Sequence, residues 1–392
     1  MSGWRTVAIG DLVEPVKSWN PLRADGDDVF QYIDLSAVDQ DSKAIVGARE
    51  VSCAEAPSRA RQVVATGDVV VSTVRPNLNA VARVTASLAG ATASTGFCAL
   101  RPRASLLNGD YLFQWVKSAH FVADLVKKAT GASYPAVSDR IIHESLIPLP
   151  PLPEQRRIAA ILDEADALRA KRRDALAQLD SLTQSIFIEM FGDPATNPKD
   201  WPRATLGDLV ISASDGPHVS PAYAETGIPF LSTRHVRAGE IVWDDLKFLS
   251  PESAAIQWKK CKPARGDILY TKGGTTGLAA AVTTDNEFAI WVHVALLKIN
   301  ATKVRTSWLE SMLNTDYCYR QSQDLTHGVA NRDLGLKRMV KIRMFQPPVA
   351  LQIEFERRHQ RLLSIRIASE TALSELDTLF ASLQHRAFAG QL

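Results

Sequence analysis

A long internal repeat constrains the fold of this chain more than any other feature of its sequence. Trp4 recurs as Trp201, and the string Gly10-Asp-Leu-Val13 recurs as Gly207-Asp-Leu-Val210. The same offset of 197 residues separates Gly131 from Gly328, Pro150 from Pro347, Gln155 from Gln352, and Leu179-Asp-x-Leu182 from Leu376-Asp-x-Leu379. A period of about half the chain exceeds any solenoid repeat, so each half must be a globule followed by a connector.

The offset changes inside the halves. Gly67-Asp68 matches Gly266-Asp267 at an offset of 199, which indicates compensating insertions and deletions in loops. Short β-type runs, such as Asp68–Thr73 and Gly266–Thr271, fill the globules between turns. One helix is predicted to close each globule. In the first half it runs from Asp110 to a C-terminal Gly131, and in the second it starts at a capping box, Ser307–Glu310.

Each globule ends in a proline cluster that opens a long helical pattern free of Gly and Pro. The first helix is predicted over 154–191 and the second over 352–388. Their apolar positions share one heptad register, which predicts that the helices pair as an antiparallel coiled coil with small residues and Arg172 at the middle. An alternative is that each helix packs only on its own globule. The seam positions are Ile158, Ile161, Ala165, Leu168, Arg172, Ala175, Leu179, Leu182 and Ile186 in the first helix, and Phe355, Arg358, Leu362, Ile365, Ser369, Ala372, Leu376, Leu379 and Leu383 in the second.

The predicted architecture is therefore α+β, with two mainly β globules and two long helices related by a pseudo-two-fold. The predicted segments are residues 1–149 (first globule), 150–193 (first helix), 194–346 (second globule) and 347–392 (second helix).

Composition excludes several classes of protein. The four cysteines stand far apart without a C-x-x-C pair, so neither a disulfide framework nor a zinc site is predicted. No uncharged apolar run is long enough for a membrane span, and the first residues lack a signal-peptide layout, so we expect a cytoplasmic protein. The net charge of +2 means that any nucleic acid must be bound by local patches or with help from partner chains.

No catalytic constellation is evident. Asp163-Glu-Ala-Asp166 matches a helicase box as a string, but it lies in a long amphipathic helix and no phosphate-binding loop precedes it. Lys272-Gly-Gly-Thr-Thr-Gly277 is either a glycine-rich hairpin or a loop that follows a nucleic-acid backbone. Two similar globules on paired helices suit a ligand with two half-sites, which duplex DNA supplies.

The chain resembles the specificity (S) subunit of Type I restriction–modification enzymes over essentially its full length. The resemblance lies in 150–158 leading into the first helix, in Gly192-Asp-Pro194 after it, and in the weaker copy at 347–352. Inside the globules it lies in 131–138, Ser94-Thr-Gly-Phe97, 215–221 and 272–275. The second half departs from the pattern, with Ala350-Leu-Gln352 in place of Pro153-Glu-Gln155.

The resemblance implies two target recognition domains, each reading one half of a split sequence in double-stranded DNA, with the helices setting the spacer. It implies a non-catalytic chain without a cofactor or metal of its own. Its partners would be two adenine-N6 methyltransferase subunits, which carry S-adenosylmethionine, and motor-nuclease subunits that use ATP and Mg. No membrane is involved.

Candidate DNA contacts follow from side chains that can form paired hydrogen bonds with base edges or reach phosphates. In the first globule they are Arg75, Asn77, Asn79, Tyr134, Ser138 and Arg140. In the second they are His218, Ser220, Arg234, His235, Lys272, Thr275, Thr276, Asn331 and Arg332.

Two other hypotheses remain open at this stage. One is a scaffold whose globules bind protein rather than DNA, and the other is a methyltransferase or nuclease in its own right. The first would show no salt-dependent, sequence-selective binding of DNA by the assembled complex, and the second lacks a catalytic tetrapeptide or metal cluster.

Overall fold

A computed structural model describes residues 4–25, 27–131, 133–218, 220–328 and 332–392, with the backbone alone at 180 and 181. The chain forms two compact units. The first comprises Met1–Ala175 with Ser369–Leu392, and the second comprises Leu176–Ala368. Each unit therefore contains a globule together with part of both long helices.

The first unit is mainly β, with three helices before the long one. Its strands form a four-stranded sheet in the order β10-β9-β12-β2, a five-stranded sheet in the order β3-β8-β11-β4-β7, and the pairs β1-β13 and β5-β6. The strands are β1 Thr6–Ala8, β2 Val13–Glu14, β3 Lys17–Ser18, β4 Val29–Ile33, β5 Val38–Asp39, β6 Ala44–Ile45, β7 Arg49–Ser52, β8 Ala60–Val63, β9 Val69–Ser72, β10 Val81–Arg83, β11 Thr92–Ser94, β12 Phe97–Pro102 and β13 Leu146–Pro148. The helices are α1 Gly109–Val116, α2 Ala119–Lys128, α3 Asp139–Glu144 and the long α4 Leu152–Phe191.

The second unit repeats this plan. Its sheets have the orders β15-β24-β21-β22 and β16-β20-β17-β23, with the pairs β14-β25 and β18-β19. The strands are β14 Arg203–Thr205, β15 Val210–Asp215, β16 Tyr223–Ala224, β17 Ile228–Leu231, β18 Val236–Arg237, β19 Glu240–Ile241, β20 Lys247–Leu249, β21 Ile268–Gly273, β22 Thr275–Ala281, β23 Ala289–Ile290, β24 Val294–Ile299 and β25 Arg343–Phe345. The helices are α5 Leu206–Leu209, α6 Pro251–Trp258, α7 Thr306–Leu313, α8 Asp316–Asp324, α9 Leu336–Met339 and the long α10 Val349–Phe388.

Strand register confirms the duplication residue by residue. Val7 pairs with Ile147 in the first unit, and Ala204 pairs with Met344 in the second, both shifted by 197. Val71 pairs with Cys98 as Tyr270 pairs with Ala295, where one strand is shifted by 199 and its partner by 197. The α+β prediction is confirmed, and so is the inference that the insertions lie in loops.

The two long helices run antiparallel within each unit. In the first unit Arg169 of α4 donates to Asp377 of α10 across 2.6 Å, and its guanidinium lies 4.3 Å from the centroid of the Phe380 ring. In the second unit Phe187 and Phe191 of α4 pack on Phe355 of α10, with centroids 5.7 and 5.5 Å apart. The predicted pairing is confirmed, and the alternative that each helix packs only on its own globule is wrong. The helix ends do also join the globule cores.

The heptad register is wrong at five predicted seam positions, because Ala175 and four larger apolar residues are exposed. A straight helix turns by about 20° per heptad relative to a 3.5-residue repeat, so the buried face moves off a strict seam over this length. The buried positions include Leu162, Met190 and Phe380 instead. Ile158 and Phe355 are buried as predicted, and Ile161, Arg172, Leu179, Ile186, Leu362, Leu376 and Leu383 are half-buried, whereas Leu168, Leu182, Ile365 and Leu379 are 51%, 42%, 52% and 53% exposed.

Two further predictions about helices are corrected. The single helix expected from Asp110 to Gly131 is broken, because the Ser118 hydroxyl accepts from the Phe121 N–H and starts α2 as a new helix. The capping box at Ser307–Glu310 is absent. Arg305 is the N-cap residue of α7, and Glu310 points its carboxylate at the backbone of β22 instead.

A buried glutamine joins each long helix to its globule. Gln155 accepts from the Asn108 N–H at 2.8 Å and donates to the carbonyls of Leu106 and Pro150 at 3.0 and 2.9 Å. Gln352 makes the same three bonds at positions shifted by 197, with Arg305, Lys303 and Pro347. This repeated contact fixes how the helix leaves the globule, and we call it the glutamine clamp.

The packing of the helices differs chemically between the units at one place. In the first unit Lys117 contacts Asp166 and lies 4.8 Å from the ring centroid of Phe113. At the equivalent positions the second unit has Asn314, Leu363 and Glu310, which line a cavity of about 540 Å³. Burial raises the pKa of Glu310 to about 7, although its oxygen accepts from the Ala281 N–H at 2.7 Å.

The glutamine clamp predicts a loss of stability when it is removed. Gln155→Leu leaves one buried N–H and two buried carbonyls without partners, so we expect the free energy of unfolding to fall by about 2 kcal/mol or more. Gln352→Leu should have a similar effect. The measurement is denaturant unfolding, with Gln360→Leu as the control because Gln360 is exposed on α10. Equal effects of all three variants would contradict the prediction.

Glu310 predicts a pH dependence of stability. The folded pKa lies above the ordinary value of 4.5, so the stabilisation from binding the proton is complete below about pH 4.5 and is lost as pH rises through about 7. We expect Glu310→Gln, which keeps the acceptor for the Ala281 N–H, to unfold at nearly the same temperature as wild type at pH 4.5 and at a higher one above pH 7. Thermal unfolding across this range measures the difference, and parallel curves for the two proteins would rule it out.

Candidate nucleic-acid interface

Two loops meet at one end of β9 in the first unit. The Val137 N–H donates to the Thr73 carbonyl at 2.8 Å, and the Arg75 N–H donates to the Pro135 carbonyl at 2.7 Å. Thr130 and Ala136 close the second loop through reciprocal bonds of 3.0 and 2.9 Å. The described residues of these two loops, 73–79 on one side and 130, 131 and 133–137 on the other, therefore form one surface, which we call the loop junction.

Exposed side chains of this junction include three of the candidate contacts. Arg75 has a left-handed backbone with φ of 49°, and its guanidinium lies 4.6 Å from the centroid of the Tyr134 ring. This stacking presents a planar cation and an exposed aromatic ring together. Asn77 is exposed beside them. The side chain of Asn79 is less available, because its Nδ2 donates to the Lys117 carbonyl at 3.2 Å.

The second unit builds the same loop junction from different residues. The Leu334 N–H donates to the Lys272 carbonyl at 2.7 Å, and the Gly274 N–H donates to the Arg332 carbonyl at 2.9 Å. His327 and Asp333 close the loop with bonds of 2.9 and 2.8 Å. The two bonds between the loops repeat those of the first unit, with Lys272 and Gly274 shifted by 199 and their partners by 197. The bonds that close the loop repeat with both partners shifted by 197. The structure thus brings the Lys272–Gly277 hairpin beside the loop that holds Arg332.

The remaining candidates of the first unit lie next to the junction. Ser138 is exposed at the start of α3, where its side chain makes no capping bond. Arg140 is two residues further along and highly exposed, and its Nε donates to Glu144 at 2.6 Å. Both side chains are accessible to a ligand.

In the second unit three of the candidate DNA contacts are buried, so the expectation that they contact DNA directly is corrected. Thr276 lies under Gln323 and Thr326, whose side chains bond to its oxygens. His235 receives a bond from the Ser232 N–H at 2.8 Å, and its burial lowers its pKa. The side chain of Lys272 is only 5% exposed and pairs with two carboxylates. Sequence patterns could not show this, because Lys and Thr beside glycine, as well as His, suit an exposed loop equally well.

The other candidates of the second unit are exposed. The His218 imidazole is 74% exposed, and Ser220 and Thr275 are also exposed. Arg234 is half-exposed and donates to Asp245 at 2.7 Å, and Arg332 donates to Gln323 at 2.5 Å. Asn331 lies outside the described residues.

The structure adds one residue that the sequence analysis did not select. The carbonyl of His293 accepts from the Lys272 N–H at 2.9 Å, and its exposed ring lies against Gly273. In the first unit the Gly96 carbonyl occupies this place and accepts from Thr73. The sequence did contain a signal for His293. The segment Ser94–Phe97 resembles a recognition segment, and the equivalent segment of the second half contains His293.

In the described part of the chain, no group of three or more His, Cys, Asp and Glu side chains is placed to hold a metal ion. Among the described helices, none has both the length and the apolar character needed to cross a membrane.

Known proteins resemble this chain in sequence and in structure. Residues 1–178 match the family model described as the Type I restriction modification DNA specificity domain. The specificity subunit of the type I restriction enzyme EcoBI of Escherichia coli is 25% identical over 65% of this chain and 60% of its own length. The MjaVIII specificity subunit of Methanocaldococcus jannaschii is 22% identical over 58% of this chain and 57% of its own. The matches thus span less than two thirds of these two relatives.

A solved structure matches the whole chain. It comes from a study of complex assembly and conformational transition of the type I R-M system, and it is 25% identical with a TM-score of 0.64. It covers 100% of this chain and 98% of its own. The first repeat thus matches the specificity-domain family model, and the whole chain is similar in fold to a chain of a type I R-M system.

Proposed function

We propose that this chain is the sequence-reading subunit of a type I restriction–modification complex and binds double-stranded DNA with a bipartite target. The observation that carries the proposal is the loop junction, which occurs in both units with the same backbone bonds and different exposed side chains. A repeated frame with variable side chains is what reading two different half-sites requires.

In the first unit we propose that Arg75 and Asn77 read bases, since a guanidinium can form two bonds with guanine and an amide two bonds with adenine in the major groove. Tyr134 holds the Arg75 guanidinium by stacking on it. Ser138 and Arg140 would position the backbone of the DNA. In the second unit the exposed candidates are His218, Ser220, Thr275, Arg332 and His293.

The long helices would set the spacing between the half-sites and supply faces for partner subunits. Leu168, Leu182, Ile365 and Leu379 are apolar side chains that remain 40% or more exposed on these helices. A single exposed apolar side chain is ordinary, but several on two paired helices suit a protein partner. We propose two adenine-N6 methyltransferase subunits as that partner, with motor-nuclease subunits joining the complex for restriction.

We further propose that this chain is not itself catalytic and works in the cytoplasm. S-adenosylmethionine, ATP and Mg would then be held by the partner subunits. This division of labour agrees with the net charge of +2, since a chain that shares DNA with partners does not need a strongly basic surface of its own.

The test is to co-express the chain with the methyltransferase subunit encoded beside it and to map methylated adenines across the host genome. We expect one split motif with a fixed gap. Methylation at a continuous motif would contradict the assignment of one half-site to each unit. An assembled complex that methylates no specific motif would instead favour a scaffold that binds protein.

Arg75→Ala predicts a change in one half of that motif. If Arg75 contacts a guanine, its loss costs about 1–3 kcal/mol at that position and relaxes discrimination there, while the other half-site stays required. The measurement is the modification rate of duplexes that carry one altered base pair in either half. Arg23→Ala is the control, because Arg23 is exposed in the same unit and lies outside the loop junction. A loss spread equally over both halves would argue against this contact.

A further inference from the structure

Lys272 is a buried cation that the proposed function does not yet use. Its ammonium has three protons and lies near three acceptors: Asp333 Oδ1 at 3.1 Å, Asp215 Oδ2 at 3.3 Å and the Val292 carbonyl at 3.3 Å. Its side chain is 5% exposed and that of Asp215 is 7% exposed. A lysine that is desolvated to this degree is stable only when its charge is paired, as it is here.

The three acceptors belong to three separate segments of the second unit. Asp215 ends β15 and begins the Asp215–His218 turn, Val292 lies in the turn between β23 and β24, and Asp333 closes the loop of the junction. Gly216 allows the first two segments to lie in direct contact. Any larger residue there would place its Cβ 2.3 Å from the Ile290 carbonyl oxygen. Lys272 is thus the point at which three surface segments are tied to one strand.

The exposed candidates sit on these tied segments. His218 Nε2 lies 3.8 Å from Asp215 Oδ2, and His218 is three residues beyond Asp215. His293 follows Val292, and Arg332 precedes Asp333. The segments that carry these three exposed side chains are thus all bonded to one ammonium.

The first unit fixes the equivalent point without charge. Thr73 stands where Lys272 stands, and its hydroxyl donates to the Gly96 carbonyl at 2.9 Å. Ala136 stands where Asp333 stands. The ion cluster is therefore particular to the second unit and is not a requirement of the shared backbone frame.

We propose that Lys272 is the positioning residue of the second recognition surface: its buried ammonium holds the segments of His218, His293 and Arg332 in the arrangement that reads one half-site. This inference rests on the proposed function and corrects the expectation that Lys272 contacts DNA itself. The residue acts through the exposed side chains beside it. Discrimination in one half-site, rather than general affinity for DNA, depends on it.

Removing the ammonium should leave the unit folded, because each carboxylate keeps another cation. Asp215 Oδ1 still accepts from Lys260 at 2.5 Å, and Asp333 Oδ2 still accepts from Arg338 at 3.3 Å. What is lost is the one ammonium that bonds to all three segments. Lys272→Met, which keeps the aliphatic stem, is therefore the informative variant.

The experiment uses the full chain in its complex with the methyltransferase subunit, after the wild-type motif has been mapped. Modification rates are measured on the cognate duplex and on duplexes with one altered base pair in either half. For Lys272→Met we expect the preference for the cognate duplex to fall about tenfold or more in one half and to be unchanged in the other. Thr73→Val is the matched control, because it alters the same position of the first unit and should leave the half read by the second unit intact.

The outcomes separate this inference from the proposed function. A wild-type complex without any split motif would overturn the function. A wild-type split motif together with undiminished discrimination by Lys272→Met would overturn the inference alone. If Lys272→Met yields no folded complex, Asp333→Asn decides the matter, since Asp333 is half-exposed and the loss of its ion pairs with Lys272 and Arg338 should relax the same half. Full discrimination by Asp333→Asn would then overturn the inference.

Discussion

The contact on which each unit depends is the hydrogen bonding of one buried glutamine. Gln155 and Gln352 each satisfy one backbone N–H and two backbone carbonyls where the globule gives way to a long helix. Buried backbone groups without partners are costly, so these side chains can be replaced only at a substantial loss. With the helix direction fixed in this way, aromatic rings such as Phe187 and Phe355 can pack between the helices and the core.

Much of the fold could be predicted from the sequence because the two halves of the chain repeat one pattern and can be compared with each other. The offset of 197 located both globules, both helices and the shift in the interior, and the strand registers agree with it. Comparison of the two halves could not locate the break between α1 and α2. This break depends on the Ser118 hydroxyl, which caps α2 within a continuous amphipathic pattern. It also could not locate the buried face of helices that are longer than a strict heptad can describe.

The structure brings several of the candidate segments together but buries several of the candidate side chains. Residues 73–79 lie beside 133–137 in the first unit, and 272–277 lie beside Arg332 in the second. Burial of Lys272, Thr276 and His235 could not be read from the sequence. Their partners, Asp215, Gln323 and Ser232 among them, include residues distant in the chain and of ordinary type. Only the folded arrangement distinguishes a lysine that faces a ligand from one that ties loops together.

The two junctions have the same hydrogen-bonded frame but incompatible chemistry, and this has an evolutionary consequence. Lysine in place of Thr73 would bring an ammonium to a site where Ala136 offers no carboxylate, and threonine in place of Lys272 would leave the Asp215 and Asp333 carboxylates without their shared partner. Single residues are thus not exchangeable between the copies, whereas a whole globule carries its partners with it. Epistasis of this kind favours change by recombination of entire segments over change by point substitution at the junction.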